Sequence, residues 1–217
     1  MVDVAYADVV AILTRAPGSG GKTRLFDALG IAPDSSLLQA LLLDTIDGAA
    51  LDHAQIVVAV TPASAIEEVR TLAPAVTVIA QIEGTLGDRM RHTMQTLLDA
   101  GARRVALIGS DLPDISPEVI ASAFAALDRD PAAVVLGPAL DGGYYLMAAA
   151  TVPPIFDGIA WGTASVFADT RRRAESAGVR IELIAPLNDV DAPAALRSLR
   201  ERKPASRTGI WVSDHLE

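Results

Sequence analysis

Apolar runs that alternate with amphipathic stretches organise most of this chain. Runs rich in valine, isoleucine, leucine and alanine predict β-strands at residues 8–14, 55–61, 76–80, 104–109, 132–137, 144–149 and 179–185. Helical spacing of apolar residues predicts helices at residues 36–46, 66–72, 86–98, 164–177 and 192–202, and a Ser-Pro-Glu start predicts another from residue 116. Strands that alternate with helices predict a largely parallel sheet that is covered by helices on both faces.

The regular alternation breaks after residue 137. Only a few residues, among them Asp141, Gly142 and Gly143, separate the strands predicted at 132–137 and 144–149. A connection this short cannot carry a parallel crossover, so we expect the second of these strands to run antiparallel or to enter another part of the sheet. The sequence therefore predicts one three-layer α/β/α domain with a mostly parallel, mixed sheet over residues 1–203. Residues 204–217 are predicted to be a C-terminal tail, polar and loose apart from residues 210–212.

Composition and charge exclude several classes of protein. The chain has 217 residues, a net charge of −9 and no cysteine, which excludes disulfides and thiolate metal sites. The acidic balance argues against a nucleic-acid partner, and no run of ~18 apolar residues predicts a membrane span. The start of the chain lacks a basic leader, so we expect a cytoplasmic protein. The sequence leaves the oligomeric state open, a homodimer included. An anionic ligand would need local cations in so acidic a chain.

A basic, glycine-rich loop follows the first predicted strand directly. Gly20 and Gly21 let the backbone approach a ligand, while Arg15, Lys22 and Arg24 supply positive charge for phosphates. The alternative is a solvated surface loop with ordinary cations. We favour phosphate binding, because open α/β sheets bind ligands at the carboxyl ends of their strands.

The same loop ends in Gly-Lys-Thr at residues 21–23, as the phosphate-binding loop of ATPases does. That pattern requires a glycine where Ala16 stands, at a position where the turn needs conformational freedom. An ATPase is therefore the least favoured of the nucleotide-binding alternatives.

Three aspartates are candidates for a divalent cation site. Asp111 follows an apolar strand, and a carboxylate at that place suits a hard cation such as Mg²⁺ or Mn²⁺. Asp189 and Asp191 are two residues apart and point to the same side of an extended chain, so they can share the metal with Asp111. Helix capping is the alternative for such residues, and Asp114 fits a capping role better than Asp111 does.

A second group of candidates lies later in the chain. Asp141, Gly142, Gly143 and Tyr144 form a tight bend that either contacts a substrate or is only a turn closed by the aspartate side chain. The segment 156–163, with Trp161, is a candidate for a loop packed by its own aromatic residues.

Taken in order, these segments resemble a known family, the bacterial DUF2064 proteins, also called selenodomain-associated transferase 1, which have the glycosyltransferase-A fold. The resemblance rests on KTRL at 22–25, QIEGTLGDRM at 81–90, IGSDLPD at 108–114, GPALDGGYYL at 137–146, GIAWGT at 158–163 and NDVDAP at 188–193. The family usually has lysine where Arg15 stands and threonine where Ala192 stands.

The resemblance implies a nucleotide-diphospho-sugar transferase-like fold and roles for individual residues. The implied contacts to a nucleotide and its phosphates are Arg15, Gly20, Gly21, Lys22, Arg24, Gln81, Gly84, Leu86, Gly87 and Arg89. The acceptor would contact Gly142, Gly143, Tyr144, Trp161 and Thr163. Asp111, with Asp189 or Asp191, would bind Mg²⁺ or Mn²⁺, and Asp111 and Asp141 are the candidate catalytic residues.

The implied activity is the metal-dependent transfer of a group from a nucleotide-activated donor to a small acceptor. The favoured donor is an NDP-sugar. A nucleotidyltransferase that uses an NTP and releases pyrophosphate, like the phospholactate guanylyltransferases, would use the same loop and metal. A nucleotide-binding regulator without turnover is the alternative from a different class. The sequence does not choose among the three.

Overall fold

The computed structural model describes residues 3–216 and contains one seven-stranded sheet. Its strands are β1 Asp8–Arg15, β2 Ala54–Thr61, β3 Thr77–Ala80, β4 Arg104–Gly109, β5 Val134–Pro138, β6 Tyr144–Ala149 and β7 Ile181–Leu183. They lie in the order β3-β2-β1-β4-β6-β5-β7. β6 pairs antiparallel with β4 and β5, and the other pairs are parallel. The prediction of a mostly parallel, mixed sheet is confirmed.

Eight α-helices surround the sheet in the described part of the chain. They are α1 Thr23–Leu29, α2 Ser35–Gly48, α3 Ile66–Leu72, α4 Leu86–Asp99, α5 Pro117–Arg129, α6 Val166–Ser176, α7 Pro193–Arg202 and α8 Arg207–His215. Over residues 3–216, no helix combines the length and apolar character that crossing a bilayer requires.

Strand alternation creates two hydrophobic layers. In β1, Val10 and Ile12 face the layer formed with α2, α3 and α5, whereas Val9 and Ala11 face the layer formed with α4 and α6. Successive strand residues point to opposite faces, so a strand apolar at every position is buried on both sides. The three-layer α/β/α architecture follows from this pattern.

The topology collects the candidate residues at one edge of the sheet. β1 and β4 run in parallel and in register, so the loops after Arg15 and Gly109 emerge side by side. The bend between β5 and β6 opens at the same edge, because β6 runs in the opposite direction. The segment after β7 follows β5 toward that edge, since the Leu187 amide donates to the Pro138 carbonyl.

The C-terminal residues correct the prediction of a loose tail. α8 packs on α2 and α7, where Trp211 and Val212 are buried in a third cluster with Leu25, Phe26, Leu37, Leu41, Val190, Leu196 and Leu199. The Asp44 carboxylate accepts hydrogen bonds from the Arg207 and Thr208 amides at 3.1 and 2.8 Å and so satisfies the start of α8. The tail is therefore part of the domain.

Two further elements differ from the prediction. α1 was absent from the predicted elements, and β7 is shorter than predicted.

Replacement of Trp211 by alanine tests whether α8 is integral to the domain. Trp211 is 5% exposed, and its indole nitrogen donates to the Asp34 carboxylate at 3.0 Å and the Ser36 hydroxyl at 2.9 Å. We expect Trp211→Ala to lower the free energy of unfolding by about 3–5 kcal/mol, the usual cost of emptying a large aromatic site. Urea denaturation measures this change.

The neighbouring residue provides the control for this experiment. Ile210 is 50% exposed, so Ile210→Ala should change the free energy of unfolding by no more than about 0.5 kcal/mol. Equal, small effects of the two variants would show that α8 does not stabilise the domain.

Candidate functional site

A cleft of about 650 Å³ opens at the carboxyl edge of β1 and β4. One side of it is acidic and the other is apolar. The acidic side contains Asp111, Asp141, Asp189 and Asp191, and the apolar side contains Leu13, Leu86, Met90, Leu107, Tyr144 and Trp161. Arg24 and Thr163 also line the cleft.

Three aspartates meet at the acidic side. One carboxylate oxygen from each of Asp111, Asp189 and Asp191 lies within 4.8 Å of the other two. The Lys22 ammonium lies between two of them, with Nζ at 2.7 Å from Asp111 Oδ2 and 2.5 Å from Asp191 Oδ1. The structure therefore brings together the predicted metal ligands and the predicted phosphate-binding lysine.

Backbone geometry directs Lys22 to this position. Lys22 has φ +46° and is the only residue other than glycine with positive φ in the described chain. Gly20 and Gly21 precede it with φ +73° and +145°, and α1 starts directly after it. A side chain on Gly20 would meet no atom within 4 Å, so conformation rather than packing requires glycine there.

The hydrogen bonds of this region rule out simple capping for the aspartates. The residue before α7 is Ala192 and no side chain caps that helix, so Asp191 is not a helix cap. Asp114 pairs with Arg202 at 2.5 Å and does not cap α5. The Asp111 carbonyl accepts from the Val190 amide at 3.0 Å, which ties the two acidic segments together.

The pKa values of this cluster reflect its burial and its charges. Burial, followed by the neighbouring carboxylates of Asp111 and Asp191, raises the pKa of Asp189 to about 7. Burial lowers the pKa of Lys22, but the Asp111 and Asp191 carboxylates outweigh this effect, so the pKa is raised overall. Three crowded carboxylates with one ammonium are an oxygen-rich donor set that a hard divalent cation fits.

Two arginines form a second basic group beside the loop. Burial, and then the positive charge of Arg15, lowers the pKa of Arg89, so the two guanidinium groups repel each other. Arg89 Nε is buried without a hydrogen-bond acceptor within residues 3–216. An anion between Arg15 and Arg89 would supply the missing acceptor and relieve the repulsion.

Gln81 is buried and bonded to the protein itself, and its contact with the nucleotide stays a prediction. Its side chain is buried, and Nε2 donates to the Thr14 and Ala59 carbonyls at 2.9 and 2.6 Å. Gln81 Oε1 accepts from Arg89 Nη1 at 3.2 Å. Gln81 therefore fastens the strand ends and orients Arg89.

The bend before β6 is a turn that also lines the cleft. Asp141 Oδ1 accepts from the Gly143 amide at 2.8 Å, as in a turn closed by an aspartate side chain. Gly142 has φ +91°, and a Cβ there would meet the Ala164 carbonyl oxygen at 2.2 Å, so close backbone packing requires glycine, and its contact with an acceptor stays a prediction. The Asp141 carboxylate and Gly143 remain at the cleft surface.

The tyrosines of this bend offer ring surface, whereas the Tyr144 hydroxyl is buried without a partner within residues 3–216 and the Tyr145 hydroxyl is bonded. Tyr144 lines the cleft with its ring and meets Trp161 edge to face at 6.4 Å, while its hydroxyl is buried. The Tyr145 hydroxyl donates to the Ala185 carbonyl at 2.8 Å. Burial raises the pKa of both phenols, that of Tyr145 to about 12, so neither is a proton acceptor near neutral pH.

Gly87 makes room for Trp161, and its contact with the nucleotide stays a prediction. A Cβ on Gly87 would lie 2.5 Å from the indole nitrogen of Trp161. Gly84, with φ +132°, is exposed in the turn before α4, whose Thr85–Asp88 capping box fixes its first turn. Leu86 and Met90 of that helix form the cleft surface next to Trp161.

Sequence reasoning found the acidic side of the cleft and three of the six residues named on its apolar side. Among the predicted residues, Arg24, Leu86, Asp111, Asp141, Gly143, Tyr144, Trp161, Thr163, Asp189 and Asp191 line the cleft. Arg15, Gly20, Gly21 and Lys22 lie in the loop beside it, and Gln81, Gly87 and Gly142 serve packing. Leu13, Met90 and Leu107 were missed, although strand alternation and helix spacing identify them as residues of one layer.

The contact of Gly87 with Trp161 can be tested by whether Gly87→Ala lowers or raises the free energy of unfolding. Gly87 lies inside α4, where alanine is ordinarily more stable than glycine by up to about 1 kcal/mol. We expect the opposite for Gly87→Ala, a loss of about 1–3 kcal/mol, because the added methyl overpacks against the indole. In a Trp161→Ala background the same change should become neutral or stabilising. Urea denaturation of the four proteins checks both signs, and stabilisation in the native background would contradict the contact.

Known proteins of the same fold match the chain over most of its length. A solved structure from Desulfovibrio desulfuricans G20, provisionally described as a nucleotide-diphospho-sugar transferase, matches with a TM-score of 0.86 and 31% identity, covering 96% of this chain and 95% of that chain. No curated protein matches.

Two more distant structures share the fold. CMP:2-keto-3-deoxy-manno-octonic acid synthetase complexed with CTP has a TM-score of 0.56 at 17% identity, covering 90% of this chain and 97% of that one. A nucleotidyl transferase from Methanothermobacter thermautotroptrophicus has a TM-score of 0.60 at 16% identity, covering 90% and 95%. The model of the DUF2064 family, uncharacterised proteins conserved in bacteria, matches residues 45–163. The chain therefore belongs to the DUF2064 family and has the nucleotide-diphospho-sugar transferase-like fold.

Proposed function

We propose that this protein is a metal-dependent transferase that moves a group from a nucleotide-activated donor, an NDP-sugar, to a small acceptor. The observation that carries the proposal is the meeting of the Lys22 ammonium with the carboxylates of Asp111 and Asp191 at the carboxyl edge of the sheet. Open α/β sheets bind ligands at this edge. The similarity to a protein provisionally described as a nucleotide-diphospho-sugar transferase supports the same class of reaction.

The acid cluster is the proposed cation site. Asp111, Asp189 and Asp191 would hold Mg²⁺ or Mn²⁺, both of which prefer carboxylate oxygens. The cation would neutralise charge on the donor phosphates and stabilise the departing phosphate oxygen. Burial, and then the negative charge of Asp111 and Asp191, raises the pKa of Asp189, and a divalent cation would offset that negative charge.

The basic loop is the proposed phosphate site. Arg24 lines the cleft beside the acid cluster, and Arg15 and Arg89 form the neighbouring pair whose mutual repulsion an anion would relieve. Within residues 3–216 none of the three arginines has a carboxylate partner within 4.0 Å. Their charges are therefore available for a ligand.

Asp141 and the apolar wall form the proposed acceptor side. One oxygen of Asp141 is engaged by the Gly143 amide, and the carboxylate can accept the proton of an attacking acceptor hydroxyl as a general base. Trp161 and Tyr144 offer ring faces, and the Thr163 hydroxyl lines the cleft, donates to the Ala160 carbonyl at 2.7 Å and accepts from the Ser165 amide at 3.4 Å.

Nucleotidyl transfer is the second candidate, and the cluster of Arg15, Lys22, Arg24 and Arg89 favours it because a triphosphate needs more positive charge than a diphosphate does. In glycosyl transfer the bond between the sugar carbon and the diphosphate oxygen breaks, and a nucleoside diphosphate leaves. In nucleotidyl transfer the acceptor oxygen bonds to the α-phosphorus and pyrophosphate leaves. Incubation with NDP-sugars and with NTPs, each with a metabolite extract, distinguishes them by the product that accumulates. Binding without either product would favour a regulator.

Asp111→Asn tests the cation site directly. The amide keeps the size of the side chain but loses the charge, so we expect Mn²⁺-dependent nucleotide binding to weaken by at least about tenfold, which is about 1.4 kcal/mol. Isothermal titration calorimetry with a nucleotide, with and without Mn²⁺, measures the effect.

Asp114→Asn is the matched control, because Asp114 lies in the same loop but pairs with Arg202 outside the cleft. It should leave Mn²⁺-dependent binding within about twofold of the native value, well under 1 kcal/mol. Unchanged binding by Asp111→Asn, with the fold intact, would remove Asp111 from the site.

A further inference from the structure

Lys22 occupies the place that a cation would need. Its Nζ lies within 2.7 Å of an oxygen of Asp111 and 2.5 Å of an oxygen of Asp191. Mg²⁺ binds carboxylate oxygens at about 2.0–2.1 Å, so a cation bound by both residues would have to lie between them as well. The ammonium and a divalent cation cannot share this space, and they would also repel each other.

We propose that Lys22 is an exchangeable counter-ion of the acid cluster, and that nucleotide phosphates draw it away so that cation and nucleotide bind together. This inference rests on the proposed function, since it takes Asp111, Asp189 and Asp191 as the cation site. It assigns the preferred ligand as a complex of a divalent cation with a di- or triphosphate. The free cation alone is a poor ligand because it competes with Lys22.

The loop around Lys22 is built for such an exchange. Lys22 itself is held in a left-handed conformation that costs free energy for a residue with a side chain. A side chain on Gly20 would meet no atom within 4 Å, and one on Gly21 would meet only the flexible Arg15 side chain, at 3.7 Å, so the loop can change its backbone angles without disturbing the core. Lys22 is anchored on its other side by the start of α1, whose Leu25 and Phe26 are buried.

If the Lys22 ammonium leaves Asp111 and Asp191, another anion must take their place as its partner. The Lys22 side chain is only 14% exposed, so its ammonium is poorly solvated where it lies. Leaving the carboxylates is costly unless another anion accepts its hydrogen bonds. Arg24 lines the cleft, and the Arg15 side chain lies against Gly21 in the loop before Lys22 and close to Arg89, so a phosphate held by these arginines would lie near Lys22. In this exchange, Lys22 gains a phosphate as its partner and the aspartates gain a cation, so no charge is left without a partner.

Positive coupling between cation and phosphate follows from this exchange. Each ligand removes an obstacle to the other, and such coupling is reciprocal. In the absence of phosphate, native protein must displace Lys22 to bind a cation. A protein without the ammonium has no such obstacle.

The test is titration with Mn²⁺ alone, by calorimetry, of the native protein, Lys22→Met and Arg129→Met. Methionine keeps an unbranched chain without charge. Arg129 ends α5 at the opposite edge of the sheet, so Arg129→Met removes one positive charge without touching the cluster. We expect Lys22→Met to bind Mn²⁺ at least about tenfold more tightly than the native protein, because a like charge adjacent to the cation is gone. Arg129→Met should match the native protein.

A second measurement uses the native protein only. The chain has two lysines, Lys22 and Lys203, so their ¹⁵N-labelled ammonium groups give a test and an internal reference. We expect Mg²⁺ with inorganic pyrophosphate to shift the Lys22 resonance and to leave that of Lys203, which donates to the Pro113 carbonyl at 2.7 Å, in place. Mg²⁺ alone at the same concentration should have little effect.

The outcomes separate the inference from the function on which it rests. If Lys22→Met binds Mn²⁺ no more tightly than the native protein, or if pyrophosphate leaves the Lys22 resonance unchanged, the exchange is wrong while the cation site stands. If neither native protein nor Lys22→Met binds Mn²⁺, with or without pyrophosphate, the proposed cation site and the exchange both fail.

Discussion

The ion pairs of Lys22 with Asp111 and Asp191 are the interaction on which the arrangement of the cleft depends. They join residues 89 and 169 positions apart in the sequence. Three carboxylates at one edge of a sheet repel each other, and the buried ammonium offsets part of that repulsion. A buried ion pair is weak evidence for stability, since desolvation of the charges opposes their attraction. Under the proposed function, these ion pairs serve ligand binding rather than stability.

The positions of the acidic residues also depend on the C-terminal helices α7 and α8. Asp189 and Asp191 lie on an irregular segment that is held in place through Val190. The Val190 side chain is buried against α1, α2, α7 and α8, and the Val190 amide donates to the Asp111 carbonyl. Beyond the cleft, Arg202 pairs with Asp114 and Lys203 donates to Pro113, so α7 and the loop after β4 are fastened together. The packing of α8 therefore contributes to the position of the acidic residues.

The sequence predicted the regular parts of the molecule because their periodicity is strong. The apolar runs of β1 and β4, and the short connection before β6, were enough to predict a mixed sheet and the edge where the cleft lies. α8 was missed because its burial depends on Asp44 and Asp34, which lie far away in the sequence. Gln81 and Gly87 stand in a family motif, but only the folded chain distinguishes a packing role from ligand contact. The Lys22 pairing was likewise beyond sequence reasoning, since it requires the αL backbone of the loop.

The central claim is that the acid cluster and the basic loop form one site for a cation and nucleotide phosphates. A crystal structure with Mn²⁺ and a nucleoside diphosphate, with anomalous data collected at the manganese edge, tests it most directly. We predict an anomalous peak bound by Asp111 together with Asp189 or Asp191, with Lys22 Nζ on a phosphate oxygen. A nucleotide bound elsewhere, or an ordered nucleotide complex in which Lys22 still bridges Asp111 and Asp191, would contradict the account.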